Sequence, residues 1–244
     1  MALTFIASAS GTSNSAGTTL DCSTTLNVAA GDLLVVTTCW EDAASTTTVA
    51  ESAGGNSFTM NTAGNDASNY IRSGYVLSAA ANSTSTFRMT SDSVAFRRII
   101  VMQFRPDASE TVSLDAGPNA ANVTTGSTQT TATITTTGTD EVVIANLKTY
   151  DPTSGYTSAT IGGAAVDGSA TVGGSNDPAF MIYKLFTSTQ SGITGVFTDT
   201  ISDTEKSRME ILAFKSVAGG TVTVDMWHPV ANLPKNTWAL IGYQ

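Results

Sequence analysis

Hydrophobic residues along this chain come in short runs separated by polar turn residues, and no long segment repeats with the period of an α-helix. Clusters of Gly, Ser, Asn and Asp interrupt the runs roughly every 8 to 12 residues, which is typical of β-sandwiches and small barrels. The pattern predicts strands near 2–8, 19–28, 32–40, 46–50, 56–61, 69–78, 84–90 and 97–105, and again near 111–115, 129–136, 141–149, 157–161, 164–171, 179–187, 194–199 and 207–216. Eight strands in each part of the chain fit a jelly roll or a related two-sheet sandwich.

The four most apolar strands lie near 33–36, 99–104, 142–145 and 209–214. Each carries apolar residues at both odd and even positions, whereas a strand with one face in water alternates apolar and polar residues. We therefore expect these four strands to lie centrally, covered on both faces.

The second part of the chain repeats the first at a nearly constant offset. Three residue pairs are separated by 110 positions: Phe87 and Phe197, Arg98 and Arg208, Phe104 and Phe214. Upstream, Tyr75-Val-Leu77 recurs as Tyr183-Lys-Leu185 at an offset of 108, and residues 31–36 resemble residues 140–145 at an offset of 109. A repeat of this length is a whole domain and not a solenoid unit.

The repeat predicts an all-β chain of two tandem antiparallel β-sandwich domains, jelly-roll-like, over residues 1–106 and 111–216. The junction at 106–110 is short, so we expect the two domains to abut closely.

Residues 217–244 follow the repeat as a C-terminal strand and extended arm. Pro229 and Pro234 favour an extended path. The candidate partner-docking residues of the arm are Trp227, His228, Trp238, Leu240, Ile241 and Tyr243. Aromatic side chains of this kind are costly to leave in water, so the arm either caps its own second domain or docks on a neighbouring subunit. We favour the neighbouring subunit.

Composition and charge narrow the classes of partner. Charged residues make up only 13% of the chain, and 20 acidic residues against 11 Lys and Arg give a net charge of −9. Nucleic acid and anionic membranes are bound through clustered cations, so neither is an expected partner. Arg98 and Arg105 flank a strand. We expect them to mark the ends of its hydrogen-bond ladder or to form salt bridges, and we do not expect them to bind an anion. The N-terminus lacks a signal-peptide pattern, which leads us to expect synthesis in the cytoplasm without export through a signal peptide.

Catalytic and cofactor motifs are missing from the sequence. The chain has one histidine, His228, and it has neither a Gly-x-Ser-x-Gly elbow nor a phosphate-binding glycine loop. We expect no enzymatic activity, no cofactor and no metal site of the usual Cys/His kind. Cys22 and Cys39 are expected to be buried free thiols, although a disulfide between them stays open.

One alternative site lies just after two corresponding core strands. Trp40 with Asp42, and Tyr150 with Asp151, fall at matching places in the two copies. Aromatic residues on sandwich loops can stack against sugars, so a glycan platform of a carbohydrate-binding module or adhesin is possible there. The simpler interpretation is that the aromatic rings pack in a core and that the acidic residues, including Glu41, lie in solvated turns. One or two carboxylates in such a loop could instead bind calcium.

Several core and turn motifs carry a family resemblance. They are Ala-Gly-Asp-Leu-Leu-Val-Val at 30–36, Gly-Gly-Asn-Ser-Phe at 54–58, Tyr-Val-Leu at 75–77 and the segment 96–104. Together they resemble β-sandwich modules in structural proteins of tailed bacteriophages, which decorate heads or build tails and fibres. The second copy departs from the pattern, with Thr139-Asp140 in place of Gly-Asp and no Asn-Ser-Phe turn.

This resemblance implies a non-enzymatic structural protein of a virus particle, most simply a head-decoration (cement) protein. A tail or fibre component is the closest alternative. The expected partners are capsid or tail subunits and further copies of the same chain, in a homo-oligomer, and the expected location is the virion.

Overall fold

The computed structural model describes residues 3–41, 45–62, 64–66, 69–123, 126–149, 156–173, 178–203 and 207–218. Every helix or strand element in these ranges is a β-strand, and all strand pairs are antiparallel. The predicted all-β antiparallel class is therefore confirmed.

The strands divide at the predicted junction into a first half, residues 3–106, and a second half, residues 110–218. The described strands of the first half are β1 (Leu3–Ser13), β2 (Gly17–Asp21), β3 (Leu26–Val28), β4 (Leu33–Glu41), β5 (Thr48–Glu51), β6 (Thr59–Met60), β7 (Gly64–Asp66), β8 (Asn69–Val76), β9 (Asn82–Ser85) and β10 (Phe87–Pro106). Those of the second half are β11 (Glu110–Val123), β12 (Gly126–Thr130), β13 (Glu141–Lys148), β14 (Tyr156–Ile161), β15 (Ala164–Ala165), β16 (Gly168–Val172), β17 (Ala179–Phe186), β18 (Gly195–Asp203) and β19 (Ser207–Ala218).

Each half is a two-sheet sandwich. Sheet 1, the larger sheet of the first half, has the order β1-β10-β4-β8-β6, and β7 also pairs with β8. Its cover consists of β2 and β5, which both pair with the N-terminal part of β10, and a separate two-stranded sheet, β3-β9, adds Leu26 and Val28 to the core beneath. Sheet 2, the larger sheet of the second half, has the order β11-β19-β13-β17-β16, and its cover has the order β12-β18-β14-β15.

The buried hydrophobic residues of the described chain form three clusters that separate four layers. A first inner core lies between sheet 1 and its cover and contains Trp40 and Phe87. A second inner core lies between sheet 2 and its cover and contains Leu147 and Phe197. A junction core lies between sheets 1 and 2 themselves. The two sandwiches are thus stacked through their larger sheets.

This stacking explains the doubly apolar strands. Every residue of β4 and of β13 is buried. In β4, Leu33 and Val35 face the junction core, whereas Leu34 and Val36 face the first inner core. The prediction that such strands are covered on both faces is confirmed.

Strands that the sequence repeat aligns occupy matching places in sheets 1 and 2. β4 and β13 are central, β8 and β17 lie on one side of them, and the C-terminal part of β10 and β19 lie on the other. The repeat predicts that aligned strands take the same places in the two sheets. That one half arose by duplication of the other stays a prediction.

The prediction of separate strands at 84–90 and 97–105 is wrong, because β10 is a single strand of 20 residues. Its N-terminal part pairs with β2 and β5, and its C-terminal part pairs with β1 and β4. The strand crosses between the layers at a bulge, where Phe96 has a φ of 47° and pairing with β4 skips from Ala95 to Arg98. The polar stretch at 91–93 lies between the paired residues Thr90 and Val94, so pairing on both sides of it continues the strand where the local pattern predicts a break.

A short connection joins the last strand of the first half to the first strand of the second half. β10 ends at Pro106 and β11 begins at Glu110, whose backbone N–H donates to the carbonyl of Asp107 at 3.0 Å. At the far end, β19 runs two residues beyond the predicted limit at 216, because Val217 and Ala218 pair with the first two residues of β11.

Cys22 and Cys39 are buried free thiols, as expected. They lie in different clusters on opposite faces of sheet 1, so they cannot form a disulfide without refolding. Burial raises the pKa of each thiol to about 12.

Candidate functional site

The junction between the two sandwiches is the most elaborate buried arrangement in the described chain. Its apolar members, none more than 8% exposed, are Leu3, Leu33, Val35, Cys39, Ile71, Ile100, Met102 and Phe104 from the first half and Val142, Ile144, Val172, Ala179, Met181, Tyr183, Leu212 and Phe214 from the second. Separating the halves would expose all of these side chains to water, which is strongly unfavourable. The two halves therefore behave as one body.

Aromatic contacts at the junction are reciprocal. Tyr75 meets Phe214 edge to face, with ring centroids 5.4 Å apart, and Phe104 meets Tyr183 in the same way at 5.2 Å. The sequence repeat aligns Tyr75 with Tyr183 and Phe104 with Phe214. Tyr75 thus contacts the counterpart of Phe104, and Phe104 contacts the counterpart of Tyr75. Such reciprocal contacts are the pattern of an interface with two-fold symmetry. Phe5 adds a stacked contact to Tyr183 at 4.9 Å.

The opposite end of the junction is polar. Lys148, at the end of β13, donates from Nζ to Oε1 of Glu41, at the end of β4, over 2.7 Å. Both side chains are buried, and Lys148 Nζ also donates to the carbonyl of Thr149 at 3.1 Å. Breaking a buried pair by removing one partner typically costs about 3–5 kcal/mol, because the other charge stays behind. This ion pair therefore joins a strand of the first half to a strand of the second.

A second polar contact lies beside it. The Ser73 hydroxyl on β8 donates to Oε2 of Glu210 on β19, and Nδ2 of Asn146 on β13 donates to Ser73 Oγ at 2.9 Å. Burial raises the pKa of Glu210 to about 7, although the Ser73 bonds and the nearby Arg208 and Arg72 favour the ionised carboxylate. Near neutral pH this carboxyl therefore exists both protonated and ionised.

Glu210 also borders a cleft of about 540 Å³ between the halves. Arg208, Pro118 and Ala120 line the cleft from the second half, and residues 60–62 line it from the first. Its volume falls in the range of small-molecule sites. Its described lining contains a single carboxyl group, so the paired carboxylates that hydrolyse glycosides are not assembled there.

The carboxyl groups at the start of the two central strands have different partners. Asp32, 1% exposed, accepts from Arg105 Nε at 2.8 Å and from Gln103 Nε2 at 2.5 Å, which confirms the expected strand-end salt bridge of Arg105. Glu141 lies at the matching place of the repeat. There the basic residue, Lys215, pairs instead with Asp115 at 2.8 Å.

The glycan platform predicted at Trp40 is contradicted by its position. The indole is fully buried in the first inner core and stacks on Tyr70 with ring centroids 5.3 Å apart, so it has no face to offer a sugar. The solvated turn predicted for Glu41 is also wrong, since this residue is 3% exposed and paired with Lys148. Their partners in that prediction, Asp42, Tyr150 and Asp151, lie outside the described residues.

The predicted docking residues of the arm likewise lie outside the described residues. They are Trp227, His228, Trp238, Leu240, Ile241 and Tyr243. Their role stays a prediction.

Sequence reasoning missed the buried charges of the junction. Lys148 and Glu210 each lie inside an apolar strand, in Ile-Ala-Asn-Leu-Lys and Met-Glu-Ile-Leu. An ionisable residue within a strand that is apolar at both parities must be buried, and buried charges are paired or shift their pKa. That signal could have indicated both residues, though not their partners.

Within the described ranges, no three His, Cys, Asp or Glu side chains group as a metal site would require. The same ranges contain no helix with the length and apolar character needed to cross a bilayer. Protein-family models, curated proteins and solved structures were each searched, and none matched this chain.

Proposed function

We propose that this chain is a non-enzymatic structural protein of a virus particle, most simply a decoration protein that binds neighbouring subunits on a bacteriophage head. The observation that carries the proposal is the junction core, through which two sandwiches form one block of four layers. Such a block keeps its shape under load, because no layer can slide or separate without exposing apolar area or the Glu41–Lys148 pair.

The outer surface suits repeated protein contacts. The covers of both sandwiches present exposed hydroxyl groups, as at Thr18, Thr19, Thr128 and Ser158. Each hydroxyl group can both donate and accept a hydrogen bond, so these surfaces can form many polar contacts with a neighbouring subunit. The proposed partners are capsid subunits and further copies of the chain, and the proposed location is the virion.

A tail or fibre component is the second form of the same proposal, because the same block would serve as a spacer there. The carbohydrate-binding alternative has no comparable support, since Trp40 is in a core.

The test is the composition and structure of particles purified from the native source. We expect mass spectrometry to find the chain at a fixed ratio to the major capsid subunit, and electron cryomicroscopy to place it at regular positions. In a second sample the particles are assembled with a chain truncated after Ala218, which leaves β19 complete. We expect this variant to fold, as judged by its circular dichroism and unfolding midpoint, and to be lost from the particles. Particles that lack the full-length chain would refute the proposal, whereas particles that keep the shortened chain at full occupancy would refute only the role of the arm.

A further inference from the structure

The second sandwich has an open groove along one edge. It lies between β14 and β15 of the cover and β16 and β17 of sheet 2, and its volume is about 350 Å³. Tyr156, Phe180 and Phe197 form its floor, with Tyr156 edge to face against Phe180 at 4.6 Å and against Phe197 at 5.8 Å. Val166 and Ile182 line it as well. Phe180 and Tyr156 are only half-buried, which is costly for aromatic rings.

The first sandwich closes the same place with a side chain of its own. There Met60 of β6 pairs with Gly74 of β8 and packs against the first inner core. In the second half the paired residues are Ser169 of β16 and Ile182 of β17, at the register set by the aligned Tyr75 and Tyr183. Ser169 is exposed and too short to fill the space. The groove is therefore a feature of the second half and not of the fold.

The chain carries a segment with the chemistry to fill this groove. Residues 219–244 include Trp227, Trp238, Leu240, Ile241 and Tyr243 and only two charged side chains. No charged side chain is among the described residues that line the groove, so no buried charge opposes an apolar occupant. In an extended segment, residues two apart lie on the same side, which pairs Trp238 with Leu240.

The length of the segment sets how far it can reach. Ala218, the last residue of β19, lies nine residues along the strand from Met209, which is level with Leu147 and Phe180. A path from Ala218 to the groove of the same chain is thus about 30 Å along the strands and about 10 Å across them. Trp238 follows Ala218 by 20 residues, which span up to about 65 Å when extended. The segment is about twice as long as its own groove requires, so its length does not confine it to the chain that carries it.

We propose that the groove is the docking site for the C-terminal segment of a neighbouring copy of this chain, with the side chains of Trp238 and Leu240 inserted between the two sheets. This inference rests on the proposed assembly role and names the surface on which the arm acts. A contact between a groove and an arm of identical chains is heterologous, so it links copies head to tail into rings or rows. One groove buries little area, and each contact is weak alone but strong when repeated around an assembly.

The first test uses full-length variants in sedimentation velocity over a range of concentrations. Ser169→Met fills the groove as Met60 fills the first half, and Trp238→Ala removes the inserted side chain. We expect the parent chain to self-associate and each variant to do so at least about tenfold more weakly, as for loss of an interface tryptophan. Thr189→Met, at an exposed position outside the groove, is the matched control and should associate like the parent.

Mixing the two variants gives the decisive result. The Ser169→Met chain keeps its arm and the Trp238→Ala chain keeps its groove, so together they should form a one-to-one complex that neither forms alone. If Ser169→Met associates like the parent, or if the mixture forms no complex, the groove is not the docking site. Such a result would leave the proposed virion role intact, because that role is tested by the composition of particles.

The source of the arm is tested by cross-linking. A photoreactive phenylalanine derivative at Ala165, on the rim of the groove, is placed in a mixture of isotopically light and heavy parent chains. We expect capture of peptides that contain Trp238 from the other chain. Capture of the same chain's peptide, or capture of no peptide from 219–244, would overturn the proposal.

Discussion

The carboxyl group of Glu210 lies between two sheets, where an ionised group has almost no water around it. Burial raises its pKa from 4.5 to about 7 in the folded protein. The unfolded chain then releases this proton at a lower pH than the folded chain, so unfolding releases a proton in the window between these two values. Stability attributable to this group must fall as pH rises through that window and stay low above it.

Glu210→Gln removes this titration while its side-chain amide can still accept from the Ser73 hydroxyl. We predict that the free energy of unfolding of the variant, relative to the parent, rises between pH 4.5 and pH 8 by up to about 3 kcal/mol. Urea unfolding of both proteins at several pH values measures this difference, which already includes the attraction of Arg72 and Arg208 for the ionised carboxylate.

If the Glu210→Gln difference is flat across the window, the carboxyl is not forced toward its neutral form by burial.

At the level of elements, β10 shows how one residue directs a strand between layers. Phe96 has a φ of 47°, in the left-handed region that a residue with a Cβ adopts at a cost of about 1–2 kcal/mol. The bulge at this residue lets Phe87–Thr90 pair in the cover and Arg98–Phe104 pair in sheet 1. The strain is therefore the cost of joining two sheets with one continuous strand.

We predict that Phe96→Gly is more stable than Phe96→Ala by about 1 kcal/mol, because glycine relieves the strain and alanine keeps it. The comparison of the two variants cancels the loss of the half-buried ring, which both share. The same pair of changes at Thr90, an exposed residue of β10 paired on both sides, should show the opposite order. Chemical denaturation of the four variants measures both differences, and an identical order at the two positions would contradict the assigned strain.

Much of this architecture could be predicted element by element, but the contacts between elements could not. The doubly apolar pattern at 33–36 and 142–145 indicated coverage on both faces, yet it could not reveal that the second cover was the other half of the chain. Trp40 resembled a loop aromatic because it precedes Glu41 and Asp42, and only its register opposite Tyr70 shows that it points into a core. Lys148 and its partner Glu41 are 107 residues apart, a distance that no local pattern spans.

At the level of the whole molecule, the junction core makes the two halves dependent on each other. A half that unfolded alone would leave its partner with one face of a five-stranded sheet in water, including Phe104 or Phe214 and one member of the Glu41–Lys148 pair. Exposed apolar faces and unpaired buried charges both disfavour such a half-unfolded state. Unfolding should therefore be a single cooperative transition even though each half has its own inner core.

We predict that Phe87→Ala, a cavity in the first inner core far from the junction, lowers the stability of both halves equally by about 3–5 kcal/mol. Hydrogen exchange measures this effect in slowly exchanging amides of β4 in the first half and of β13 in the second. Phe197→Ala, the matched cavity in the second inner core, should give the same equal loss, because the repeat aligns these two residues. Two separate transitions, or protection that falls only in the half that carries the cavity, would show that the sandwiches fold independently and that the shared core is not what joins them into one body.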